Sequence, residues 1–180
     1  MSSERRQKII DTTFELFLQY GFQKVTLSDI AKEVGVSRPT LYQEFANKEE
    51  IFISIIDLWQ KDALCRIKEG MNPKEGADVQ LRKAIDVWVI EPFQMIHNSP
   101  KSAEFSETHF CFANEVFAIG LKEFEKLIVG ILGKRPLAGG ISANDVAHLI
   151  AYSTKGFKSL ANSEKELRSL IDNLIVVVLG

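Results

Sequence analysis

The chain has 180 residues, 46% of them hydrophobic and 26% charged, with a net charge of −2. That much apolar material excludes a disordered chain and supplies a core for one compact unit, or for a small domain on a larger one. The longest apolar run, Leu174–Leu179, is far short of the roughly 20 residues that cross a bilayer, and the charge balance carries no global signal for nucleic acid.

Residues 2–7 are polar, with Arg5 and Arg6 adjacent. They suit an arm reaching a phosphate or the minor groove, and equally a solvated helix start. A first helix is predicted from about Arg5 to Tyr20. Ile9, Ile10, Thr13, Phe14 and Phe17 recur at helical spacing on its inner face, and Gly21 ends it. Phe22 and Val25 should pack beneath the next two helices.

Thr26–Lys48 (TLSDIAKEVGVSRPTLYQEFANK) is the most informative stretch. Thr26 with Asp29 forms a capping-box-like start. Leu27, Ile30, Ala31 and Val34 form one apolar face, and Gly35 can take the left-handed turn that closes the helix. Ser37 is a good N-cap, and Pro39 fits the first turn of the following helix. Leu41 and Phe45 anchor that helix to a core. The pattern is a helix-turn-helix, whose second helix lies in the DNA major groove. Arg38, Pro39, Thr40, Tyr42, Gln43 and Glu44 are its outward positions. Lys48 falls in the first turn of a third helix, capped by Asn47 and Glu50. A cation opposes the helix dipole there by several tenths of a kcal/mol, unless a DNA phosphate sits between it and the helix N-terminus. Against this, residues 1–50 carry seven basic side chains (Arg5, Arg6, Lys8, Lys24, Lys32, Arg38, Lys48) and eight acidic ones, so no bulk basic patch supports the reading.

The segment Ile9–Phe52, IIDTTFELFLQYGFQKVTLSDIAKEVGVSRPTLYQEFANKEEIF, resembles the DNA-binding domain of the TetR (tetracycline-repressor) family of bacterial transcriptional regulators. The resemblance covers the N-terminal quarter. It implies that Thr26, Tyr42 and Lys48 hold phosphates, while Ser37, Arg38, Pro39 and Thr40 face the groove. Arg38 is the candidate for a guanine contact, and Thr40 and Pro39 for a thymine methyl. Glu44 departs from the aromatic or histidine usual there, and would either repel phosphate or accept from a cytosine amino group.

A long helix is predicted from Lys48 to about Glu69, with Ile51, Phe52, Ile55, Leu58, Trp59 and Ile67 as its stripe. Val79 to about His97 reads as a helix apolar on most sides, hence buried, and kinked by Pro92. A short helix is expected near Ser102–Phe112, then an amphipathic one from Asn114 to about Leu132. The loop GKRPLAGGI lacks phosphate-loop spacing. Ser142 with Asp145, and Ser163 with Glu166, open the last two helices as capping boxes. The architecture is all-α with about nine helices and no strand. Residues 1–47 form a DNA-binding domain, and residues 48–180 a helical ligand-binding and dimerisation domain.

Trp59, Trp88, Phe93, Phe105, Phe110, Phe112 and Phe117, with polar His97, His109 and Tyr152, could line an apolar effector pocket, although a solid core accounts for each residue singly. By resemblance, such proteins bind a small inducer among these helices. The last two helices are apolar on more than one face, which implies a two-fold homodimer. Glu107, His109 and Cys111 lack the geometry of a nucleophile–base pair, and three scattered histidines give no metal site. Cys65 and Cys111 form no CxxC, and no signal-like N-terminus is visible, so a reduced, cytoplasmic location is expected. The resulting expectation is a homodimeric, ligand-responsive repressor on a palindromic operator, with no cofactor and no membrane partner. A DNA-bound regulator without a ligand, and a helical enzyme, are the alternatives.

Overall fold

The computed structural model describes residues 2–101 and 110–179, and these residues are all-α. The elements are α1 (Ser2–Tyr20), α2 (Leu27–Val34), α3 (Arg38–Glu44), α4 (Lys48–Gly70), α5 (Ala77–Ile85), a π turn (Asp86–Ile90), α6 (Glu91–His97), α7 (Asn114–Leu132), α8 (Ala143–Leu160) and α9 (Glu164–Leu179). Short 3₁₀ turns lie at Cys111–Ala113 and Ala138–Gly140. α1 opens at Ser2, three residues before the expected start, so Arg5 and Arg6 lie inside it. The helix expected over Ser102–Phe112 falls mostly outside the described residues. Val176–Val178 are helical, because the capped period begun at Ser163 overrides their strand propensity.

α5, the π turn and α6 make one continuous helical run, as the apolar pattern predicted, and the irregularity lies where Pro92 demands it. Proline has no N–H to give to the Trp88 carbonyl, and its ring crowds that carbonyl. The helix widens by one residue just before it: the Glu91 N–H bonds to Asp86 O, an i→i−5 bond. The irregularity is therefore a π turn over Asp86–Ile90.

The residues divide into two compact units. The first comprises the described residues of Met1–Trp59 and Ile96–Phe117, and the second those of Gln60–Met95 and Ala118–Gly180. The sequence-based boundary lies at 47/48, whereas this division falls inside α4. The physical reason is that Ile51, Phe52 and Ile55 belong to the first unit's core, together with Phe110 and Ala113. Phe22, Phe52 and Phe110 are its aromatic centre. The Phe52 and Phe110 rings stack 4.4 Å apart, and Phe22 meets them edge-on at 5.6 and 5.3 Å. Such pairs add about 0.5–1.5 kcal/mol each beyond burial.

In the second unit, Leu81, Ala84 and Ile85 of α5 are buried, as are Phe124 and Ile128 of α7, Ala147 and Ile150 of α8, and Ile171 and Ile175 of α9. The π turn places Trp88 on Phe124, with ring centroids 4.8 Å apart and planes 10° from parallel. α9 grips both sides of that turn. Arg168 reaches Asp86 before the proline, Gln94 after it donates to Glu164, and Arg168 and Glu164 bond each other. The Gln94 amide and the Arg168 guanidinium hold the Glu164 carboxyl below its usual range.

Candidate nucleic-acid interface

The local chemistry of residues 26–45 fixes the two helices. The Asp29 N–H donates to Thr26 Oγ1 at 3.2 Å, and the Thr26 N–H donates to Asp29 Oδ2 at 3.0 Å, completing a reciprocal capping box. The Thr26 hydroxyl also donates to that carboxylate at 2.6 Å. These bonds, the hydroxyl's first, hold the Asp29 carboxyl below its ordinary pKa. At the other end Gly35 has φ +80°, a conformation that penalises any residue with a Cβ. The Gly35 and Val36 N–H groups then return to carbonyls of the last turn, Val36 to Ala31 O at 2.9 Å. Ser37 caps α3 by accepting from the Thr40 N–H, and Pro39 sits in the first turn. Ile30, Ala31, Val34 and Leu41 are buried, so α2 and α3 are locked to one core by their inner faces.

The outer face of α3 carries the residues expected there. Ser37, Arg38, Pro39, Tyr42 and Gln43 are exposed and Thr40 is partly so. Tyr42 keeps 48% of its surface. Ser37 Oγ and Thr40 Oγ1 lie 2.7 Å apart, so one hydroxyl orients the other. The arrangement offers a guanidinium, hydroxyls, an amide and a phenol on one short helix, a set suited to base edges and phosphates.

Three cations of this unit instead point inward, each at the carbonyl end of a helix or the loop after it. Lys8 Nζ donates to Val34 O at 2.9 Å, at the end of α2. Arg6 donates to Glu44 O at 2.5 Å, at the end of α3, and to Ser54 Oγ of α4 at 3.4 Å, and its guanidinium lies 3.9 Å from the centre of the Phe45 ring. Lys48 Nζ donates to the carbonyls of Phe22, Gln23 and Val25 at 2.7, 3.3 and 3.3 Å and sits over the Phe22 ring. Positive charge at helix C-termini satisfies orphan carbonyls and opposes the dipole's negative end. Part of the segment's cationic charge is therefore structural.

Two expectations change accordingly. Arg6 is a clamp between α1, α3 and α4, not an arm. Glu44 is not an outward position of α3, since its side chain is only 13% exposed and lies 3.9 Å from Arg5. The outward pattern of a seven-residue helix could not reveal that α1 covers this corner. All three ammonium donors of Lys48 are directed at carbonyls, so a phosphate would have to displace at least one of them. Arg6 and Lys8 are cations just ahead of the first buried residues of α1, Ile9 and Ile10, but nothing in the spacing names their acceptors.

The expected effector residues are distributed over both units. Phe110 is buried in the first unit's aromatic core, where Phe117 packs against it partly buried, and Trp59 and His97 are assigned to the same unit. In the second unit Trp88 stacks on Phe124, and Phe93 is buried. Tyr152 is 54% exposed, beside His148, whose Nδ1 is 3.1 Å from Glu125 Oε1. Phe105 and His109 lie outside the described residues, as does Glu107. Cys65 and Cys111 are exposed thiols, and the Glu69 carboxylate bonded to Cys65 pushes that thiol's pKa up, away from a reactive thiolate. Among the described residues no group of three or more His, Cys, Asp or Glu is placed to hold a metal. No described helix is long and apolar enough to cross a membrane.

A capped, glycine-turned helix pair with a polar outer helix defines a DNA-binding protein of the helix-turn-helix class. Residues 9–55 match the family described as bacterial regulatory proteins, tetR family. The chain is 33% identical over 97 residues to the uncharacterized HTH-type transcriptional regulator YhgD of Bacillus subtilis, covering 54% of this chain and 50% of that protein. It is 38% identical over 52 residues to the HTH-type transcriptional repressor ComR of Escherichia coli, covering 29% and 25%. The matches thus span half or less of these curated relatives. The fold extends further than the sequence likeness. A TetR transcription regulator from Haloarcula marismortui superposes with a TM-score of 0.77 at 13% identity, over 99% of this chain and all of that one. These relatives and neighbours are regulators, and the chain is classed with them, not with enzymes.

Proposed function

We propose that the protein is a homodimeric transcriptional repressor that reads a palindromic duplex with α3 and is released by a small apolar effector bound in its helical second unit. The observation that carries this reading is the exposed face of α3 on a helix pair whose inner face is buried and whose ends are fully capped. In the bound state Arg38 addresses a guanine, while Pro39 and Thr40 lie against a neighbouring base with Ser37. Thr26 and Tyr42 hold phosphates on either side. Lys48 keeps the 22–25 loop in place for them, through carbonyls a phosphate would otherwise have to compete with.

Dimerisation through α8 and α9 is supported by the apolar side chains they leave exposed. Leu149, Tyr152 and Leu160 lie along one side of α8, and Val176 and Val177 on α9 keep 63% and 69% of their surface. Exposed apolar stripes on paired helices favour an isologous partner. Two α3 helices then meet half-sites about one duplex turn, near 35 Å, or a multiple apart. Repression follows ComR in sense and the steric logic of a dimer seated on a promoter. Such a regulator works in the cytoplasm, where the operator is. Arg38→Ala tests the reading: it should relax base preference at one position per half-site, by about 1–3 kcal/mol, with little change elsewhere in the site. An unaltered preference would remove α3 as the reader.

A further inference from the structure

Four polar side chains are buried among the described residues: Thr13, Gln60, Ser99 and Thr154. Three have evident partners. Thr13 donates to Ile9 O, Ser99 to Leu18 O, and Thr154 to Ile150 O. Gln60 is 5% exposed, and among the described residues none hydrogen-bonds to its side chain. Its amide lies flat against Gly120 of α7, so close that a Cβ there would overlap all three amide atoms. Positions along both helices from this contact are apolar. Ala63 and Ile67 follow on α4, and Phe124 and Ile128 on α7, all buried, with Trp88 of the π turn stacked on Phe124. A buried amide has one acceptor and two donors to satisfy, and an orphaned one costs about 1–3 kcal/mol. Native interiors rarely keep such a group without a use for it.

We propose that Gln60 is the polar anchor of the effector site, and that the effector is an apolar molecule with a small neutral head that both donates and accepts, such as an alcohol or a primary amide. This rests on the effector reading above and specifies its chemistry. A carboxylate head is disfavoured, because among the described residues no Lys, Arg or His is buried to balance it. A head that only accepts leaves the amide oxygen unmet. Gln60 lies on α4, the continuous helix that begins at Lys48. An effector that satisfies the amide in only one arrangement of α4 therefore shifts the protein toward that arrangement.

Eight-carbon probes test the assignment on the full chain. 1-Octanol, octanamide and octanoate are titrated at pH 7.5 against the parent, Gln60→Met and Gly120→Ala, with binding read by calorimetry and folding by Tm. Octanol and octanamide should bind the parent at least tenfold more tightly than octanoate. Gln60→Met should keep or raise the Tm while losing that preference. Gly120→Ala, which forces the amide to shift, should weaken both neutral probes. No binding of neutral probes to the parent, or an undiminished preference in Gln60→Met, would overturn the proposal. A buried water that merely satisfies the amide gives that second result. Duplex binding by the unliganded parent is measured alongside: its loss would reject the regulator reading itself, whereas probe failure with duplex binding intact rejects only the anchor.

Discussion

The Lys48 ammonium sits 2.7 Å from the carbonyl oxygen of Phe22, across 26 residues of sequence. With its bonds to Gln23 and Val25 it ties the start of α4 to the loop between α1 and α2. Lys48→Met leaves three carbonyls without their cation. It should destabilise the protein by about 2 kcal/mol, or roughly 4–8 °C in Tm. Duplex affinity should fall with the slope of log K against log salt unchanged. A slope reduced by about one would show that Lys48 leaves the carbonyls for a phosphate in the complex.

Arg6 makes the corresponding tie at the end of α3. Arg6→Ala removes the bond to Glu44 O and the cation over Phe45, and should lower duplex affinity about tenfold, with a Tm loss of a few degrees. Arg6→Lys should recover part of the affinity, because an ammonium reaches one acceptor but lacks the planar fork. Fluorescence anisotropy with a labelled duplex separates the two variants.

The Thr26–Asp29 box gives a pH signature. The folded carboxyl of Asp29 titrates below its unfolded value, so it contributes stability above the ordinary aspartate pKa of about 3.9. That contribution is lost as pH falls through the lower folded value. Asp29→Asn should melt below the parent at neutral pH, and the gap should close on acidification through this window. A gap independent of pH would mean the charge plays no part in the box.

Dimer formation depends on exposed residues of α8 and α9. Leu149→Glu with Val176→Glu should give a monomer by sedimentation, with helicity retained, since both side chains are exposed in the isolated chain. The monomer should bind a full palindrome at least a hundredfold more weakly than the parent, because each α3 then acts alone.

Local signals carried most of the fold. Thr26 with Asp29, Gly35, Ser37 with Pro39, Ser142 and Ser163 each mark a helix end, and the structure places a cap or turn at every one. Such signals are legible because a cap joins residues three or four apart. Pro92 foretells an irregular helix, and the irregularity is the π turn over Asp86–Ile90 just before it. The hidden part is long-range. The spacing that puts Lys48 in a first turn says nothing about where its flexible chain ends, and Glu44 looks outward until α1 is laid over it. Phe110 suits an apolar pocket by residue type, and its ring lies in the aromatic core of the first unit, a long-range placement no spacing reveals. Gln60 falls three residues before Ala63 and seven before Ile67, a helical spacing that marks an inner face. Its polarity hid it from the apolar stripe.

Selection of bound sequences from a pool of random duplexes decides whether paired α3 helices read an operator. An inverted repeat should be enriched, with half-sites about one turn, or a whole number of turns, apart, and Arg38→Ala should lose one defined base preference per half-site. No enrichment, or a single asymmetric site unaffected by Arg38→Ala, would contradict that reading.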